Sequence, residues 1–216
     1  MRYVRWSTQG AINAQEIIIP DGCRDIIVVK QGGAARDVFL TALDWRPRLV
    51  RLRANRQLFG YRLRPGIRIE NQELANLVVR GDFAETGIQG IAHENTEMVS
   101  LVEILAQTDD SIGRVARRAG VSERTLQRYF KRRNMPKPEF WRLLGRARRA
   151  ARALLCRTPP VEIAFAFGYS DQAHMTREFT RWFGTTPVRL RQRPNLLERI
   201  CQPGLGNWTG EQISIK

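Results

Sequence analysis

Arg124, Gln127, Arg128 and Lys131 stand i, i+3, i+4 and i+7 apart, so a helix running through them carries all four along one edge. Arginine can pair bidentately with O6 and N7 of guanine and glutamine with N6 and N7 of adenine, while lysine offers a point charge to phosphate. Leu126 and Phe130, four apart, would face the other way into a core. The same grammar returns 49 residues later, where Met175, Arg177 and Phe179 stand in for Leu126, Arg128 and Phe130. That second helix would leave Gln172, Ala173, Thr176, Arg177 and Thr180 outward, with His174 at the border. The chemistry such edges support is base reading in a DNA major groove. On one isolated helix, exposed Arg and Gln ordinarily do no more than solvate it. A second copy in the same basic region turns the reading toward recognition.

Other chemistries find few residues. Cys23, Cys156 and Cys201 are odd in number and far apart, which argues for reduced thiols rather than a disulfide framework. With His93 and His174 the only histidines, no Cys/His grouping has metal-ligand spacing, and a Ser-His-Asp triad would need scattered parts. No catalytic residue, metal or cofactor is therefore expected. Asp21, Cys23, Arg24 and Asp25 invite a functional story, with Cys23 as a redox sensor, but a Pro-Asp-Gly turn beside a small buried Cys explains them equally well.

The charge is concentrated. The chain has 216 residues and a net charge of +15, and residues 111–193 alone hold 20 Lys and Arg against 5 Asp and Glu. A basic region of this density attracts polyphosphate, whether nucleic acid or an anionic membrane face. The longest apolar run, Ile163 to Phe167, is far short of the roughly 20 residues a membrane span needs. The first fifteen residues alternate polar and apolar with no secretory pattern, so the cytoplasm is the default location.

Two kinds of element must position these residues. Short runs rich in Val, Ile, Leu and aromatics predict strands at Tyr3–Trp6, Glu16–Ile19, Asp25–Lys30, Asp37–Leu43, Leu49–Arg53 and Leu58–Arg64, punctuated by Pro20-Asp21-Gly22, Gly32-Gly33 and Pro65-Gly66. They suggest a small β-sandwich or barrel, followed by a helix near Glu73–Val79. Then the period changes. Met98, Leu101, Val102 and Leu105 make one apolar helical face, and Asp109-Asp110-Ser111 offers caps for a helix containing Ile112, Val115 and Ala116.

From there the chain repeats itself. Arg114-Val115-Ala116 aligns with Glu162-Ile163-Ala164, and Gly120-Val121-Ser122 with Gly168-Tyr169-Ser170, before one inserted residue shifts the offset. Each copy has a small Ala for close helix crossing, a Gly able to take positive φ, a capping residue and a second amphipathic helix. That is the sequence form of a helix-turn-helix. Between the copies, Glu139–Leu155 reads as a long helix with Phe140, Leu143, Leu144, Ala147, Ala151 and Leu154 on one side. Arg142, Arg146, Arg148, Arg149 and Arg152 take the other, with Arg149 a candidate for a phosphate contact. As a rod of about 25 Å it would hold the readers apart for successive major grooves.

SIGRVARRAGVSERTLQRYFKR, VEIAFAFGYSDQAHMTREFTRWFG and the closing TPVRLR resemble the AraC/XylS-type transcription regulators across about residues 95–192. The resemblance implies two DNA-contacting helix-turn-helix units in one polypeptide. It places the base and backbone readers at Arg124, Gln127 and Arg128, and at Gln172, Ala173, His174 and Arg177. Ala173 stands where the family often has a polar residue. IIIPDGCRDIIVV and LFGYRLRPG resemble, more weakly, an N-terminal domain attached to some members, which implies a cupin-like β fold that senses a ligand or dimerises. A metal-binding cupin enzyme would want two or three His in this half, and only His93 is there.

The expectation is an α+β chain: residues 1–93 a sensor or dimerisation β domain, 94–192 an all-α DNA-binding domain with two helix-turn-helix units joined by a long helix, and 193–216 a tail without assignment. Its partner is double-stranded DNA, with no membrane, and it acts as monomer or homodimer. A small-molecule effector and RNA polymerase are the further partners the family suggests, and activation rather than repression is the family tendency. Two alternatives share parts of this pattern: a sequence-nonspecific nucleic-acid coating protein, and a DNA-docked enzyme with its active site in the first half.

Overall fold

The computed structural model describes residues 1–7, 14–31, 34–52, 57–81 and 83–209. Six strands come first: β1 (Tyr3–Ser7), β2 (Ala14–Ile18), β3 (Arg24–Gln31), β4 (Ala34–Leu40), β5 (Arg48–Leu52) and β6 (Gln57–Leu63). All pairings are antiparallel, in a four-stranded sheet of order β1-β6-β3-β4 and a two-stranded ribbon β2-β5. The β-rich first half expected from the sequence is thus two antiparallel sheets, one of four strands and one of two, among the described residues. Gly60 on β6 has no side chain because Trp6 lies over it: a Cβ there would sit 2.7 Å from the indole and 2.6 Å from the Ile26 carbonyl.

Ten helices follow among the described residues: α1 (Asn71–Arg80), α2 (Glu85–Ile91), α3 (Thr96–Gln107), α4 (Ile112–Arg118), α5 (Glu123–Arg132), α6 (Pro138–Ala153), α7 (Pro160–Ala166), α8 (Gln172–Phe183), α9 (Pro187–Arg191) and α10 (Pro194–Cys201). No helix is long and apolar enough to cross a membrane among the described residues. Helices α1 and α2 cover the sheet, where Leu74, Leu77, Ile88 and Ile91 join Ile26, Tyr61 and Leu63 in one core. A larger core lies among α3 to α10, built on Trp141, Leu144, Phe130, Phe179 and Trp182. α3 crosses α6 so closely that a Cβ on Gly145 would lie 2.5 Å from the Ala106 backbone.

The two bodies are stitched by the segment that sequence left unassigned. Leu197, Ile200 and Leu205 enter the helical core, while the Leu205 N–H donates to the Asp21 carbonyl at 2.8 Å. Arg148 on α6, 2% exposed, donates to the Leu205 and Gln202 carbonyls and to Asn207 Oδ1. Trp208 Nε1 donates to the Met1 carbonyl, so it packs back on the body as expected; Ile213 lies outside the described residues. From the β4–β5 loop, Trp45 packs against Phe140 of α6 with ring centroids 4.4 Å apart and planes tilted by 53°.

Candidate nucleic-acid interface

The two repeats fold alike, and the backbone shows why the sequence spacing was kept. After α4, Gly120 takes φ 69°, and the Val121 N–H reaches back to the Ala116 carbonyl at 3.0 Å. After α7, Gly168 takes φ 67°, and the Tyr169 N–H reaches the Ala164 carbonyl at 2.9 Å. Both are the six-to-one closure that a left-handed Gly permits at a helix C-terminus. Ala116 and Ala164 are fully buried where the helices of each unit cross. The next helix is then capped: the Ser122 hydroxyl accepts from the Thr125 N–H at 3.1 Å, and Asp171 accepts from the His174 N–H at 2.6 Å. The cap falls one residue later in the second unit, which accounts for the inserted residue. Accepting that N–H, with Arg177 also attracting it, holds the Asp171 carboxyl below its ordinary range.

On α5, Leu126 and Phe130 point into the core while Arg124, Gln127, Arg128 and Lys131 are exposed. Arg124, Arg128 and Lys131 make no ion pair or side-chain hydrogen bond among the described residues; Gln127 donates to Glu123 at 3.0 Å. On α8, Met175 and Phe179 are buried and Gln172, Ala173 and Arg177 exposed, with Arg177 also outside any ion pair among the described residues. Thr176 is half-buried, its hydroxyl donating to the Gln172 carbonyl at 2.9 Å. His174 lies at the border of that edge, as expected: its ring stands against Tyr169, Nδ1 lies 3.1 Å from the Ser170 hydroxyl and Nε2 3.7 Å from Glu178, with a third of the side chain exposed.

The long helix corrects a larger expectation. Of the five arginines read as one side of the helix, Arg146 and Arg148 are buried and Arg152 is exposed. Arg142 pairs with Glu139, and Arg149 with Asp109 and the carbonyls ending α3. Arg146 holds the second unit together. It donates to the Gly168 carbonyl in the turn at 3.2 Å and to Glu178 on α8 at 2.7 Å, and stacks on Tyr169. Burial first, and the nearby Glu178 second, push the Tyr169 phenol well above its ordinary value. The rod therefore holds the turn and α8 of the second unit in place through Arg146. In the first unit, Arg114 and Arg118 both pair with Asp110, while Arg117 is exposed and outside any ion pair among the described residues.

Among the described residues, no three of His, Cys, Asp and Glu come together as a metal site. Among the described residues the His93 ring pairs with Glu73, at 2.7 Å. Cys23 is buried, and burial raises its thiol pKa, which removes the exposed thiolate a redox sensor needs.

Residues 115–193 match a family model described as a helix-turn-helix domain. A transcriptional regulator from Chromobacterium violaceum, described among AraC-type DNA-binding domain-containing proteins, is 30% identical; the match covers 49% of this chain and 90% of that one, at a TM-score of 0.38. ToxT from Vibrio cholerae is 8% identical over 89% of this chain and 98% of its own, at a TM-score of 0.47. A ToxT structure with bound unsaturated fatty acid is 9% identical over 98% and 96%, at 0.43. No curated protein matches significantly.

Proposed function

Since the chain belongs to the family of regulators with an AraC-type DNA-binding domain, we propose that this DNA-binding transcription regulator reads a bipartite duplex site, one half through α5 and the other through α8. The observation that carries this is the repeated presentation of unengaged cations. Each unit buries its apolar stripe, closes on a left-handed Gly, and leaves arginines outside any ion pair among the described residues on the opposite edge: Arg124 and Arg128 on α5, Arg177 on α8. An unpaired guanidinium on a rigid helix loses little to desolvation or partner exchange when it meets a base edge or a phosphate.

The two readers differ in kind. The α5 edge has Arg124, Arg128 and Lys131, whereas α8 offers Gln172, Ala173, Thr176 and Arg177. Binding at the α5 half accordingly depends more steeply on salt. Residues 1–93 sense or dimerise, residues 94–192 bind DNA, and the outcome at the promoter is activation, a sense taken from the family resemblance.

Selection of bound duplexes from a random pool tests this reading. It is expected to return two conserved blocks about one helical turn apart, near 10 base pairs. Recovery of sequences without a shared motif would mean that the chain coats nucleic acid through charge alone.

A further inference from the structure

The outward edges of α5 and α8 share one residue type and differ at three positions. Past the residue inserted at the second cap, α8 follows α5 at an offset of 49, so Arg177 corresponds to Arg128, while Ala173, Thr176 and Thr180 stand where α5 has Arg124, Gln127 and Lys131. On α5 those three positions carry charge or hydrogen-bonding groups. On α8 they carry methyl groups. Ala173 is exposed and ends at Cβ, and both threonines turn their hydroxyl protons back onto the helix: Thr176 donates to the Gln172 carbonyl at 2.9 Å and Thr180 to the Thr176 carbonyl at 2.9 Å. Each threonine thus keeps its γ-methyl and has no free donor.

Two of these positions lie where a reader makes its contacts. Ala173 and Thr176 are the second and fifth residues of α8, and it is the N-terminal residues of a recognition helix that reach base edges in the major groove. Met175 and Phe179 are buried on the other side, and Arg177 extends from the same edge outside any ion pair among the described residues. At about 1.5 Å per residue, positions 173 and 176 are separated by about 4.5 Å along the axis, close to the roughly 3.4 Å between successive bases. A methyl group takes no part in the hydrogen-bond code of the groove. The base-edge feature that matches it is the C5-methyl of thymine, which adenine, guanine and cytosine lack.

We propose that Ala173 and Thr176 read thymine through its 5-methyl group at neighbouring base steps, beside the contact made by Arg177. The α8 half of the site is then thymine-selective, and the α5 half, with Arg124 and Gln127 at the corresponding places, is indifferent to that methyl. This rests on the two-reader function proposed above and names what the second reader selects.

The test uses the full chain and the duplex recovered by selection, with deoxyuridine replacing thymidine, an exchange that deletes the methyl and keeps every hydrogen-bonding group. The α8 half is the one in which Arg177→Ala relaxes base preference. Uracil at the thymines of that half should weaken binding about threefold to fourfold for each methyl read, the scale of one carbon group taken out of water. The same exchange in the α5 half should leave affinity unchanged. Ala173→Gly with Thr176→Ser removes both protein methyls and keeps a hydroxyl to donate to the Gln172 carbonyl, so this double variant should bind thymine and uracil duplexes equally. Should Ala173→Gly loosen α8 by circular dichroism, Thr176→Ser alone should still abolish the uracil effect at one of the two steps. An α8 half without thymine, no uracil effect there, equal loss in both halves, or a uracil effect that survives in the double variant would overturn the proposal. The last result would assign the methyl's influence to the shape of the duplex. All four require specific duplex binding and so leave the two-reader function standing, whereas a pool that returns no motif would remove both.

Discussion

Replacing Arg146 by Met removes the cation that joins the rod to the second helix-turn-helix. Its side chain is 6% exposed and that of Glu178 is 12% exposed, so the substitution leaves a carboxylate without its counter-charge out of water, and the Gly168 carbonyl loses a donor. Breaking a buried pair from one side costs about 3–5 kcal/mol, because the remaining charge is uncompensated. At about 2–4 °C per kcal/mol for a chain of this size, Tm should fall by roughly 6–20 °C. Removing both partners is a different perturbation. Arg146→Met with Glu178→Leu leaves no orphan charge, and should recover most of the loss. Differential scanning calorimetry on the wild type, both single variants and the double variant closes the cycle. A double variant as unstable as Arg146→Met, or a single variant within about 0.5 kcal/mol of wild type, would refute the assignment of Arg146 as the positioning cation. Below its transition, Arg146→Met should also lose discrimination at the α8 half of the site while keeping it at the α5 half.

Gly145→Ala would place a Cβ 2.5 Å from the Ala106 backbone where ordinary contact begins near 3.4 Å, so α3 must shift by almost 1 Å; a loss of about 1–3 kcal/mol or more is expected in chemical denaturation. Arg148→Met removes three hydrogen bonds to Gln202, Leu205 and Asn207, and limited proteolysis should then cut the 202–209 stretch sooner than in wild type. Labelling the native chain with a thiol reagent at about pH 8 should modify the exposed Cys156 and spare Cys23 until the fold opens, since a buried, raised thiol is neither reachable nor ionised. Peptide mapping that finds Cys23 modified as fast as Cys156 would contradict its burial.

The helix-turn-helix pair was legible because everything that makes it is local. Gly120 and Gly168, the caps at Ser122 and Asp171, and the four-residue spacing of Leu126 with Phe130 all act within one turn of helix. The strands were legible for the same reason, to within a few residues at each end. The arginines of the rod were not. Arg146 lies on the face of Arg142 and Arg149, whereas Arg148, two residues on, lies nearly opposite Arg146, and an arginine pattern alone assigns both to solvent. Their partners lie 22 to 59 positions away in the chain, at Gly168, Glu178 and the 202–207 segment. Helix α2 contains Gly87 and Gly90, weak helix formers that hid it, and its support is the packing of Ile88 and Ile91 on the sheet. Helix α10 starts at Pro194, which reads as a breaker in sequence yet sits at the first turn, where a proline is tolerated. His174 fell on the border of the outward edge, and only the fold shows its ring turned to Tyr169 and Ser170.

Base-resolved footprinting of wild type, Arg128→Ala and Arg177→Ala on the selected duplex addresses the two-reader claim directly. The wild type should protect two major-groove segments on one face. Each variant should lose about 1–3 kcal/mol and relax base preference at a single step, Arg128→Ala in one segment and Arg177→Ala in the other. Both variants weakening the same segment, or both weakening every sequence alike, would show that α5 and α8 do not read separate halves of one site.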